Sequence, residues 1–190
     1  MALAPDRLDR LLRALCVPGM HTHAVIDGAA CPNLLDQIDR EQPDHVCLYR
    51  GELEAPVAHV APWLVRLEPE SEFSRWLLGE GWGRGWFSLT MGIQPLHALR
   101  SQFRRLLLVK LPDGRIVYFR FYDPRVLRLY LRECGGEEAT AILGMQAAFV
   151  TEAADAGQLH LFRAAATGIG SEVRRLDDLG TGPLLPPPED

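Results

Sequence analysis

RRLLLVKLPDGRIVYFRFYDPRVLRLYL, residues 104–131, decides the fold class. Two β-rich runs, residues 106–111 and 115–122, flank Pro112-Asp113-Gly114, and a helix signal follows at once. Gly114 can adopt the positive φ that closes a short hairpin loop. Val109, Ile116, Val117, Tyr118 and Phe119 are β-branched or aromatic and suit a pleated, half-buried surface. Asp123 then stands where a helix N-cap belongs, with Pro124 at the first helical position. Its carboxylate can accept from the orphan amides of the first turn, and proline gives up no bond there. The stretch therefore predicts strand, tight turn, strand and capped helix.

Working outward, the N-terminal side alternates strand and helix. Leu8, Leu11, Leu12 and Leu15 recur at helical spacing with arginines opposite, and Pro18-Gly19 ends that run. Residues 23–26 predict a strand closed by Asp27-Gly28, and Leu34, Leu35 and Ile38 form one face of a helix. Residues 45–49 predict a buried strand and 63–67 a third, with 52–61 an unassigned segment between. Pro69 is expected to open a helix through Phe73, Trp76, Leu77 and Leu78, stopped by Gly79 and Gly81. A glycine-rich turn then leads into a central strand at 87–91, and Pro95 begins a helix carrying Leu96, Leu99 and Phe103. On the C-terminal side, Gly135-Gly136 ends the Asp123-capped helix, 137–143 makes a short helix, and 147–151 pairs with 159–163.

These signals predict an α/β domain, with α+β as the alternative, built on a mixed sheet flanked by helices. One domain is expected over residues 1–164, divisible into lobes 1–123 and 124–164, the second a small helical and hairpin lobe. Beyond Ala165 the apolar pattern fades, and Pro183 to Pro188 is too proline-dense for a packed element. Residues 165–190 are expected to be a flexible tail.

Composition bounds the function. With 190 residues, 47 % hydrophobic and 24 % charged, and a mean hydropathy of −0.03, the chain reads as globular rather than disordered. A net charge of −5 argues against nucleic-acid binding by broad phosphate neutralisation. No stretch reaches the ~18 apolar residues of a membrane span, and charged residues interrupt the first twenty positions. A cytoplasmic protein is expected. Cys16, Cys31, Cys47 and Cys134 form no CxxC pair, so free, buried thiols are predicted. The glycines from 79 to 85 lack the ending of a P-loop, Ser88 and Ser171 lie in no GxSxG elbow, and no helix carries HExxH. His21 and His23 could share a strand face and hold a metal, but no third ligand is close in sequence. No cofactor and no metal are expected.

The aromatic and cationic residues remain. Trp82 and Trp86 lie among glycines that give little local cover, which raises the odds that one anchors a partner. Arg84 between them can pair with a carboxylate. Arg100, Arg104 and Arg105 make a positive cluster that reads as a solvated helix face.

The ordered segments His23-Ala24-Val25-Ile26-Asp27-Gly28-Ala29, Cys47-Leu48-Tyr49-Arg50-Gly51, Ala61-Pro62-Trp63-Leu64-Val65-Arg66-Leu67, Gly81-Trp82-Gly83 and Phe119-Arg120-Phe121-Tyr122-Asp123-Pro124-Arg125-Val126 resemble the effector-chaperone (adaptor) family of bacterial type VI secretion systems. The resemblance spans about residues 22–150. It implies a non-enzymatic protein that binds a secreted effector and helps load it onto the VgrG spike protein. A groove beside the sheet would take an effector segment through aromatic anchors with arginines at its rim. The candidate partner-binding residues are Trp82, Arg84, Trp86, Arg120, Tyr122, Asp123 and Arg125, with Asp123 first a helix cap. Two rival readings stand beside this one. One is a small-molecule enzyme using Asp27 and Asp123 where strand ends meet helix starts; the other is an immunity protein for a neighbouring toxin.

Overall fold

The computed structural model describes residues 2–111, 113–165 and 168–188. In chain order these form α1 (Pro5–Leu15), β1 (His21–Asp27), α2 (Leu34–Glu41), β2 (His45–Cys47), α3 (Ala55–Val60), β3 (Pro62–Leu67), α4 (Glu72–Gly81), β4 (Phe87–Gly92), α5 (Leu96–Leu106), β5 (Leu108–Lys110), β6 (Ile116–Tyr118), α6 (Pro124–Glu133), α7 (Gly136–Leu143), β7 (Gln146–Glu152), β8 (Gln158–Ala165) and β9 (Gly168–Arg175), with a 3-10 turn at Leu176–Asp178. Pro112 of the expected turn and the Glu189-Asp190 end of the expected tail lie outside the described residues.

Seven strands make one sheet in the order β2-β3-β1-β4-β7-β8-β9. Side chains on successive residues point to opposite faces, and here both faces are covered. Ala24 and Ile26 of β1, Val65 of β3, Val150 of β7 and Leu161 of β8 join α1, α2 and α4 in one apolar core. Val25, Leu64, Phe149 and Phe162, from the alternate positions, join α5, α6 and α7 in a second. Burial on two sides explains the short apolar runs Ala24-Val25-Ile26 of β1, Leu64-Val65 of β3 and Ala148-Phe149-Val150 of β7, whereas β4 and β8 alternate apolar residues with the buried Ser88, Thr90 and His160.

The helix-and-sheet class holds, but the sheet is antiparallel at every described pairing, not mixed. The reason is topological. β1 and β2, joined through α2, run the same way but are split by β3; β3 and β4, joined through α4, are split by β1. Each crossover is real, yet its two strands are not ladder neighbours, which places the domain on the α+β side.

Four further expectations change. Residues 124–164 are not a lobe, because β7 pairs directly with β4 through Leu89↔Val150 and Thr90↔Phe149. Residues from 168 onward are not a flexible tail: β9 pairs with β8 over its full length, and Leu176, Leu179, Leu184 and Leu185 are buried in the first core. The strand at residue 45 is a half-exposed edge rather than a buried strand. Finally, α4 starts at Glu72 behind an Ser71 cap, not at Pro69, and the unassigned segment holds α3.

The deciding stretch itself is divided. β5 and β6 pair with each other through Leu108↔Tyr118, Val109↔Val117 and Lys110↔Ile116, but form a separate two-stranded ribbon outside the main sheet. Val109 and Val117 are half-buried on one face, while Leu108, Lys110, Ile116 and Tyr118 are exposed on the other. Past the ribbon, Phe121, Tyr122, Leu127 and Leu131 are buried in the second core. Asp123 caps α6 as expected, accepting from the Arg125 amide at 2.9 Å.

Candidate protein-interaction groove

The seven predicted site residues separate into buried supports and exposed arginines. Trp82 and Trp86 are 1 % and 6 % exposed, so neither is a surface anchor. The glycines around them do not bare the indoles; they let the backbone turn tightly while the sheet and α4 supply cover. The Trp82 Nε1–H donates to the Ala156 carbonyl at 3.0 Å, and the Gly83 amide donates to Glu152 Oε2 at 2.6 Å. Arg84 stays on the surface, paired with Glu80 at 3.3 Å and lying over the Trp86 ring.

Arg120, Tyr122, Asp123 and Arg125 do come together, where the end of β1 meets the start of α6. Arg120 Nη2 donates to Asp27 Oδ2 and its guanidinium lies over the Tyr122 ring. Arg125 grips Asp123 with two parallel bonds, Nε to Oδ1 at 2.9 Å and Nη2 to Oδ2 at 2.7 Å. Burial pushes the Asp123 carboxyl up, but the hydrogen bonds from Arg125 outweigh it and hold the group below the usual carboxylate range. Tyr122 is buried and its phenol is pushed up to about 12 by desolvation. Tyr122 and Asp123 are thus structural, and only Arg120 and Arg125 of this quartet offer exposed cationic surface.

This geometry weakens the acid/base reading. Both carboxylates are occupied by an arginine, and a general acid working near neutrality needs a raised pKa, opposite to that of Asp123. Among the described residues, no group of three or more His, Cys, Asp or Glu is placed to hold a metal ion. The four cysteines are free, but only Cys31 is buried: Cys16 is exposed and Cys47 and Cys134 are half-buried.

A different surface is open. A groove of about 380 Å³ runs between the α3 segment and the ribbon, lined by Leu48, Tyr49, Leu53, Val57, Leu107, Leu108 and Tyr118 with Arg50 and Arg104. Its apolar walls are bare: Val57 is 41 % exposed, Leu108 52 % and Tyr118 64 %, and Ile116 continues the same ribbon face at 69 %. Exposed contiguous apolar surface of this kind marks interaction sites. The Tyr49 and Tyr118 rings stand 6.2 Å apart, a contact between aromatic pairs that fixes the groove wall.

Arg104 builds the floor. Its Nε donates to the Leu48 carbonyl at 2.9 Å, and Nη2 donates to the carbonyls of Cys47, at 3.4 Å, and Tyr49. The guanidinium of α5 therefore holds the end of β2 and orients Tyr49. Burial, then the nearby guanidiniums of Arg100 and Arg50, pull Arg104 below its ordinary value. Sequence reading passed over this groove because apolar β-formers at 108, 116 and 118 imply a face turned to the core. The available signals were Tyr49 and Arg50 within the family-like segments and the Arg100, Arg104, Arg105 cluster, which is only partly a solvated face.

Together these features define a helix-covered antiparallel-sheet domain with an exposed, arginine-floored apolar groove. The chain belongs to the family described as Domain of unknown function (DUF4123), whose model matches residues 22–141. That span contains the groove, the ribbon and the Asp27–Arg120 junction. No curated protein and no solved structure matches the chain. Among the described residues no helix is long and apolar enough to cross a membrane.

Proposed function

We propose that this protein is a cytoplasmic adaptor that binds a type VI secretion effector and helps load it onto the VgrG spike, and that it is not an enzyme. The observation that carries the reading is the exposed apolar groove beside α3 and the ribbon, inside the family segment. A protein-binding surface is what a loading chaperone requires, and tyrosine and arginine, which this groove presents at 49, 118, 50 and 104, are among the residue types enriched at such surfaces. The buried tryptophans and the Asp123 cap support the fold around it rather than touching the client.

Co-expression with the products of the flanking genes, followed by affinity capture and size exclusion, tests the proposal. Recovery of a neighbouring toxin, with its secretion lost on deletion of this gene, is the expected outcome. Failure to bind any neighbour, with secretion intact, would sink the adaptor reading. Loss of toxicity on binding, with secretion unaffected, would instead indicate an immunity protein.

A further inference from the structure

We infer that the groove reads an extended client segment in which apolar side chains are accompanied by at least one carboxylate; this rests on the adaptor reading above. The apolar part follows from the walls, since Leu53, Val57 and Tyr118 offer shallow aliphatic and aromatic contact. The acidic part follows from charge. Arg50 and Arg100 both lie close enough to Arg104 for their charges to act on it, yet among the described residues none of the three forms an ion pair. Arg104 spends its donors on backbone carbonyls, which leaves its charge uncompensated. The Nε of Arg100 is buried without a hydrogen-bond partner. Glu52 and Glu54 are exposed on the neighbouring loop, and among the described ion pairs neither meets any of these arginines.

This local excess of positive charge sits on a chain whose net charge is −5. A client carboxylate arriving at the groove meets an attractive field there, whereas the protein as a whole repels acidic partners, so the groove selects register as well as composition. The extended form follows from the ribbon. β5 and β6 pair only with each other among the described strands, so no described strand occupies either edge of the ribbon, which suits the addition of a third strand, a mode that couples backbone hydrogen bonding to side-chain pockets.

The test uses the full chain and short overlapping peptides tiled across the products of the flanking genes. Peptides combining apolar and acidic residues should bind. Binding should fall about tenfold or more in Val57→Asp, Tyr118→Ala and Arg50→Glu, should weaken with added salt for the wild type, and should drop when the peptide's carboxylates are replaced by amides. Circular dichroism and melting temperature certify that each variant is folded, and Arg50→Glu, on an exposed loop, is the variant least able to disturb packing. Preference for basic or uncharged peptides overturns the inference, as does binding that the three variants leave unchanged. If the intact effector is captured but no peptide binds, the client is read as a folded surface; the extended-segment inference fails while the adaptor reading stands. If neither binds, both fail. Groove substitutions that alter only the chain's own oligomeric state assign the groove to a second copy and also overturn it.

Discussion

Asp123 does two jobs with one carboxylate, capping α6 through the Arg125 amide and holding the Arg125 guanidinium. Its replacement by Ala should cost about 0.5–2 kcal/mol, the range for a lost N-cap, measured by urea unfolding; client binding should survive in the folded fraction. Unchanged stability with lost binding would show that Asp123 acts at the surface instead. His23 gives a pH-dependent counterpart. It is 1 % exposed with neither ring nitrogen partnered, and burial, then His21 and Arg66, lower its pKa to about 4. The unfolded chain titrates near ~6.5. Above that value both states are neutral and nothing is lost. As the pH falls from about 6.5 towards 4 the unfolded chain takes up a proton that the folded one refuses, so stability declines by up to about 3 kcal/mol. Buried His160, also lowered to about 4 by burial and the arginines at 132 and 128, adds to the same slope. Urea unfolding at stepped pH should show this decline, and His23→Leu should make it shallower, leaving the part due to His160. A slope unaltered in that variant would mean another group carries the effect.

Legibility differed most between elements. Periodicity sufficed for α1, α5 and α6 and for the β7–β8 hairpin, because each presents one apolar stripe or one strand pair to a core. It failed for the ribbon, where Ile116 and Tyr118 carry the same β-forming chemistry as core residues while facing water. It also failed at Trp82 and Trp86, whose cover comes from partners as distant as Ala156 and cannot be seen in local glycine content. β9 escaped notice because GIGSEVRR is mostly exposed and polar, as an edge strand tolerates. Of the candidate site, the groove was not legible, since its walls come from the chain around Leu48–Leu53, α3, β5 and β6 together, and the exposed arginines at 84, 120 and 125 lie outside its lining. The turn after α4 supplies an element-level prediction. Gly83 has a φ of +82°, and a Cβ there would lie 2.8 Å from the Ala156 Cβ. Gly83→Ala should therefore destabilise the protein by about 1 kcal/mol or more, seen as a lower melting temperature. An unchanged melting temperature would mean that the turn relaxes freely.

At the scale of the whole molecule, the C-terminal residues complete the first core. A chain ended at Arg175 loses four buried leucines, at 176, 179, 184 and 185, each contributing about 1.5–3 kcal/mol when fully buried. Against a total stability of about 5–15 kcal/mol, that truncation should yield little folded protein, read as loss of soluble yield and of a cooperative melting transition. A truncated chain that melts like the full one would show the leucines to be dispensable. The same region ties back to α1: Arg7 pairs with Asp177 through two bonds, a separation of 170 residues, and the Leu184 amide donates to the Ala14 carbonyl. Closing a loop of that length before the sheet exists costs about 2 kcal/mol more than closing one a tenth as long, so the clasp has to form on an already assembled sheet. The clasp is therefore expected to form late in folding and to open early in unfolding. Substitutions at Arg7 or Asp177 should hasten unfolding while leaving the refolding rate nearly untouched, the kinetic mark of an interaction absent from the folding transition state.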